Sequence, residues 1–175
     1  MGKYLSLMAF VATVPAANWM IANVGTCYPG GPCVVPVGFG LSAPSGVLMV
    51  GASLVLRDIV HERLGASWAI LAIVVGAALS AVFAPPALVI ASTVAFLLSE
   101  LGDMAVYAPL REKKLYAAVF LSGLVGSVID SAVFLLLAFG SLEFIEGQVI
   151  GKMWMTVAAI GALMAFRSIK KGELA

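Results

Sequence analysis

The stretch "AFLLSELGDMAVYAPLREKK", Ala95–Lys114, sets Glu100 and Asp103 inside a long apolar run and holds positive charge back until after Pro109. Carboxylates surrounded by leucine, alanine and valine, with Arg111, Lys113 and Lys114 gathered beyond them, read as a membrane-crossing helix with a basic inner flank. The rest of the chain supports this. Of its 175 residues, 62% are hydrophobic and only 11% charged, with a mean hydropathy of +1.10. A soluble domain keeps about a quarter of its residues charged, so a water-covered surface is hard to build here. A single transmembrane domain over residues 1–175 is expected, with the lipid bilayer as its solvent.

Composition also excludes several classes of function. A net charge of +1 offers no basic field for nucleic acid. One histidine, His61, and two cysteines cannot assemble a Cys/His metal site, and no cofactor is expected. Cys27 and Cys33 bracket the turn-rich "CYPGGPC". They pair if that loop faces an oxidising compartment and stay as two thiols otherwise. Lys3 followed by apolar residues and "VPAA" imitates a cleavable signal peptide, but the apolar run continues through Trp19, Met20 and Ile21 to Val24, which makes a retained first helix the expectation. "MGKYLS" fits a myristoylation pattern by chance.

The fold expected is all-α and polytopic, with six transmembrane helices at about residues 4–24, 43–64, 67–83, 87–107, 115–139 and 149–166. The second follows "VVPVGFGLSAP", whose glycines and prolines predict partly non-helical backbone, tolerated at membrane depth only where protein or a wet cavity covers it. Pro85 and Pro86 stop the third. With the N-terminus inside, nine of the ten basic residues fall on the cytoplasmic side: Lys3, Arg57, Arg63, Arg111, Lys113, Lys114, Arg167, Lys170 and Lys171. Both termini are therefore expected in the cytoplasm, and "REKK" is a topology signal. Small residues mark expected packing faces: Gly76, Ala77, Ser80 and Ala81 on the third helix, and Ala158, Gly161, Ala162 and Ala165 on the sixth.

Helical spacing puts Phe96, Glu100, Asp103 and Tyr107 on one stripe of the fourth helix. Glu100 lies about 5 Å and Asp103 about 9 Å from the midpoint of that span. Gly123, Gly126, Ser127, Asp130 and Phe134 form a stripe on the fifth. Arg57 and Asp58 lie near the inner end of the second helix, with Glu62 one turn on, and Lys152 near the outer end of the sixth. An ionised group at mid-membrane costs about 2.5–3.5 kcal/mol, so these groups are expected to face the bundle interior. They either pair there as structural ties, Asp130 and Glu100 with Lys152 or Arg57, or form a polar solute site, with a proton relay through Glu100 and Asp103 as a variant. Phe96, Tyr107 and Trp19 offer flat faces; Asn18 and Asn23 offer amides.

"GLSAPSGVLMVGASLVLRDIVHERLG", "LLSELGDMAVYAPLREKK", "SGLVGSVIDSAVFLLLAFG" and "GQVIGKMWM" together resemble the queuosine-precursor transporters, also called the VUT or vitamin uptake transporter family. The resemblance runs from "ANWMIANVG" to Lys152. It is carried by the compound pattern of Ser99-Glu100, Asp103, Tyr107, Pro109 and Arg111 followed by Asp130-Ser131, Phe134 and Ala138-Phe139. It implies a six-helix importer in the cell inner membrane that takes up 7-deazaguanine bases (the cyano or aminomethyl precursor of queuosine, or queuine) for salvage into tRNA modification. On that likeness Asp58 and Glu62 match acids of the family's second helix, Glu100 and Asp103 those of the fourth, Asp130 that of the fifth, and Lys152 the lysine opening the sixth. Arg57, in "LVLRDIV", departs from the family's common Phe-Pro-Leu-Thr-Phe-like segment.

A deazaguanine edge presents a ring N–H and an exocyclic amine that a carboxylate can accept. The expected substrate site is accordingly Glu100 or Asp103 on that edge, Asp130 on another polar group, and Phe96 or Tyr107 stacked on the ring, with Asn18, Arg57, Asp58 and Lys152 around them. No GxxxxGK[ST] loop is present for ATP hydrolysis, which leaves room for a homodimer or an energising partner. A substrate-binding subunit of a multi-component uptake system is the rival reading. A membrane enzyme is not expected, since His61 alone supplies neither a nucleophile–base pair nor a metal set.

Overall fold

A computed structural model describes residues 2–29, 31–84 and 86–172. Helix α1 (Gly2–Asn23) leads into an antiparallel sheet of β1 (Thr26–Cys27), β2 (Cys33–Gly38) and β3 (Leu41–Pro44), in the order β1-β2-β3. Helices α2 (Val47–Leu64) and α3 (Ala66–Phe83) follow. A 3-10 turn at Pro86–Leu88 opens α4 (Val89–Leu110), and α5 (Leu115–Phe139) and α6 (Ile145–Gly172) complete the chain.

The sheet corrects the all-helical expectation. Val34, Val35 and Val37 favour extended backbone, and Pro36 and Pro44 cannot donate the hydrogen bonds a helix needs. At the β2–β3 tip, Gly38, Phe39 and Gly40 all take positive φ (98°, 55° and 76°), a reversal the two glycines make accessible. The Phe39 ring stacks on Trp154 of α6, 6.4 Å between centroids, and Trp154 Nε1 donates to Val37 O at 2.8 Å. A Cys27–Cys33 disulfide ties β1 to β2. Three helix starts also move: α2 begins at Val47 because Ala43 and Pro44 belong to β3, α4 begins after the 3-10 turn, and α6 begins four residues early, at Ile145.

Among the described residues, α1 (over Tyr4–Asn23), α3, α4 and α5 are long and apolar enough to cross a membrane. Helix α2 falls short because it carries Arg57, Asp58, Glu62 and Arg63. Helix α6 has Glu146 and Lys152 near its start and basic residues near its end. Large side chains such as Leu5, Met8, Val82 and Ile90 point outward, the arrangement a lipid solvent favours. Pro85, and the side chains of Lys3, Ala165, Arg167, Lys170 and Lys171, lie outside what is described.

The helix at the centre carries four charged residues, Arg57, Asp58, Glu62 and Arg63. Helix α2 packs against α1, α3, α4, α5 and α6, which buries Ser53, Arg57, Asp58 and His61. Close approach depends on glycine. A Cβ on Gly51 would lie 2.7 Å from Lys152 O and 2.8 Å from Lys152 Cα, backbone that cannot swing aside. Gly51→Ala is therefore expected to part α2 from α6 and destabilise the fold by about 1–3 kcal/mol, seen as a lower thermal midpoint in detergent. The small face of α3 packs as expected at Gly76, Ala77 and Ser80, although Ala81 is exposed. The small face of α6 is a correction: Ala158, Gly161 and Ala162 are exposed and no atom lies within 4 Å of a Cβ built on Gly161. Gly161→Ala should accordingly leave that midpoint unchanged or raise it.

Candidate functional site

The interior polar groups fall into two sets at different depths. The first surrounds a cavity at the end of the bundle that carries the sheet. Thr13 and Asn18 of α1, Pro44 of β3, Ser53 of α2, Ser80 of α3, Ser92 and Phe96 of α4, Asp130 and Phe134 of α5, and Gln148 and Lys152 of α6 line it. Its volume is about 90 Å³, space for a small solute and not for a nucleotide or a peptide.

Lys152 anchors one wall. Its Nζ donates to Asp130 Oδ2 at 2.6 Å, to Ser131 Oγ at 2.6 Å and to Gln148 Oε1 at 3.0 Å. An ammonium has three hydrogens, so this buried cation is fully satisfied and balanced by one carboxylate. The geometry follows from local spacing: Gln148 and Lys152 are one turn apart on α6. Ser131 donates its own proton to Ser127 O at 2.7 Å, leaving its oxygen to accept from lysine. Asp130 spends Oδ2 on Lys152 while its side chain keeps 11% exposure. Asn18 Nδ2 donates to Val14 O at 3.0 Å, which leaves its carbonyl as an acceptor. Phe96 and Phe134 add flat apolar surface.

The second set lies deeper, toward the end of the bundle away from the sheet, and centres on Arg57. Its Nη1 is 2.6 Å from Asp58 Oδ1, its Nε is 3.4 Å from Glu100 Oε2, and its Nη2 pairs with Asp103 Oδ1. Arg57, Glu100 and Asp103 are each 0% exposed. Arg57 Cζ also sits 5.6 Å from the centroid of the Tyr107 ring, a cation–π contact. Tyr107 Oη donates to Glu62 Oε1 at 3.3 Å, and Glu62 pairs with Arg111 at 3.4 Å. With Glu62 43% exposed, this chain of contacts reaches the surface at the far end. A Cβ on Gly126 would lie 3.0 Å from Asp103 Cβ, so glycine there lets α5 close over the acid.

Ser53 joins the two sets. It lines the cavity, and its Oγ lies 2.8 Å from Val50 O and 3.0 Å from Glu100 Oε1.

Of the residues expected at a solute site, Asn18, Phe96, Asp130 and Lys152 meet at the cavity. Arg57, Asp58, Glu100, Asp103 and Tyr107 meet around the guanidinium. The pairing of Glu100 with Arg57 and of Asp130 with Lys152 is present in full. Trp19 and Asn23 are exposed and belong to neither set. Sequence reasoning missed Ser53 and Gln148. Each lies four residues before a buried cation, Arg57 and Lys152, and that spacing could have found them. Among the described residues, no group of three or more His, Cys, Asp or Glu side chains is placed to hold a metal ion.

A family model described as "Putative vitamin uptake transporter" matches residues 77–167. That range takes in α4, α5 and most of α6, and with them Glu100, Asp103, Asp130 and Lys152. No protein of curated function and no solved structure matches the chain.

Proposed function

Because the chain belongs to the vitamin uptake transporter family, we propose that it imports queuosine precursors, 7-deazaguanine bases, across the cell inner membrane. The observation that carries this function is the cavity, where one partly exposed carboxylate, Asp130, faces the same space as two phenyl rings, Phe96 and Phe134. The free oxygen of Asp130 accepts from the ring N–H and exocyclic amine of the base. Asn18 and Gln148 contact its other polar edge, and the two rings flank its faces. Lys152 holds Asp130 in place.

Two independent signals support one orientation. A disulfide persists in an oxidising compartment, which favours the sheet and the cavity mouth outside. The basic residues collect at the opposite end, the inner one. In this arrangement all six helices cross the bilayer, both termini are cytoplasmic, and the cavity is loaded from outside while the Arg57 set closes the inner side. Helix α2 crosses despite its charges because other helices, and not lipid, surround it.

Expression in a host that neither makes nor imports the precursor tests this. Queuosine should return to tRNA when the cyano or aminomethyl base is supplied. Phe134→Ala should raise the base concentration needed for half-maximal uptake about tenfold, since stacking of a base on an aromatic ring is worth about 1–3 kcal/mol. No queuosine with any deazaguanine would refute the cargo assigned here.

A further inference from the structure

Interior charge does not balance, and the imbalance is confined to one place. The Lys152 set holds one cation and one carboxylate, with every ammonium hydrogen used. The Arg57 set holds one cation and three carboxylates, Asp58, Glu100 and Asp103, all buried. If all were ionised the cluster would carry a net charge of −2 in a sheltered interior, where uncompensated charge is strongly disfavoured.

Ser53 links this cluster to the cavity. Its hydroxyl has one hydrogen yet stands within hydrogen-bond distance of two acceptors, Val50 O at 2.8 Å and Glu100 Oε1 at 3.0 Å. That hydrogen is shared between the two acceptors, so Ser53 donates to Glu100 while lining the cavity. Glu100 also has the longest of the three links to Arg57, 3.4 Å against 2.6 Å for Asp58. It is the acid most easily released from the guanidinium and the one that touches the cavity wall.

We infer that Glu100 is the proton-binding site that couples import to the proton gradient, taking its proton from the cavity side through Ser53. The inference rests on the transport function above and adds its energy source. One proton binds Glu100, which Ser53 links to the cavity, and a second offsets the charge of Asp58 and Asp103. With Glu100 neutral, its hold on Arg57 weakens and the inner closure can open. The Glu100 proton then leaves toward the cytoplasm past Tyr107 and Glu62, whose contacts lead to the far surface, and the carboxylate recaptures Arg57. No bond other than O–H forms or breaks. The charged and titratable groups packed around the cluster are His61 and Glu62 of α2, Tyr107 and Arg111 of α4, and, beyond Ser53, Asp130 of α5 with Lys152 of α6. A proton fits the site better than Na⁺. Helices α2, α4 and α5 run unbroken past the cluster, so no unwound backbone carbonyls are available to complete a sodium shell.

Two measurements test this. In proteoliposomes of the full chain, accumulation of labelled 7-cyano-7-deazaguanine should rise about tenfold per unit of inward pH gradient for one proton per base. Glu100→Gln should abolish that response, while replacing Na⁺ by choline should change nothing. Accumulation indifferent to pH, or following Na⁺, overturns the proposal. The second readout needs no transport: infrared spectra of the purified protein at pH 7 should show a protonated-carboxyl band that Glu100→Gln diminishes. A wild-type spectrum without that band, or a band unchanged in the variant, also overturns it. If no deazaguanine moves in the wild type, the cargo assignment fails while the infrared result still decides the proton site.

Discussion

Asp130→Asn is expected to eliminate precursor uptake and to destabilise the fold in one step. The substitution turns one of the two carboxylate oxygens facing the cavity into a donor and leaves the buried Lys152 ammonium with neutral partners alone: the new amide oxygen, Ser131 and Gln148. Breaking one side of a buried pair costs about 3–5 kcal/mol, because the surviving charge is stranded. The two consequences separate in a double variant. Adding Lys152→Met removes the stranded charge and should recover most of the thermal midpoint, yet uptake should stay absent because the carboxylate has not returned. Thermal unfolding in detergent and labelled-base uptake in the same preparations check both halves. Wild-type uptake by Asp130→Asn would remove Asp130 from the cavity's chemistry.

Arg57→Met has the larger effect on stability. It deletes the only cation within reach of Asp58, Glu100 and Asp103 among the described contacts and takes the packing against Tyr107 with it. The expected loss is at least the about 3–5 kcal/mol of a single broken buried pair. Its pH dependence has a definite sign. Without Arg57 the three acids fold only in protonated form, so the folded state binds more protons than the unfolded one and stability falls as pH rises. Folded yield should therefore improve as the pH of the detergent buffer is lowered through the carboxylate range. Pairing Arg57→Met with Glu100→Gln and Asp103→Asn should recover folded protein at neutral pH. A single variant as stable as the wild type at every pH would mean that Arg57 does not hold these acids.

Much of the architecture was legible because its signals are local. Apolar runs long enough to span hydrocarbon and the one-sided collection of basic residues need no knowledge of neighbours. The 3.6-residue period alone put Phe96, Glu100, Asp103 and Tyr107 on one buried face of α4 and Gly126, Ser127 and Asp130 on one face of α5. The β2–β3 hairpin was half legible. "VVPVGFGLSAP" reads as non-helical from its prolines and glycines, but pairing Val35 with Ala43 and docking Phe39 on Trp154 are contacts between segments that local propensity does not encode.

The sequence alone established a membrane-embedded helical protein with acids set inside its apolar runs, since desolvation cost depends on residue type and run length. The division of those acids came from the rotation and depth of each helix against its neighbours. Asp130 went to Lys152 beside an open cavity; Glu100 and Asp103 went to Arg57 in a sealed cluster. Ion-pair energy varies over ångströms, and an intrahelical pattern leaves open which of two buried cations a carboxylate will meet. Only the packed bundle, with Gly51 and Gly126 letting the helices close, settled that choice.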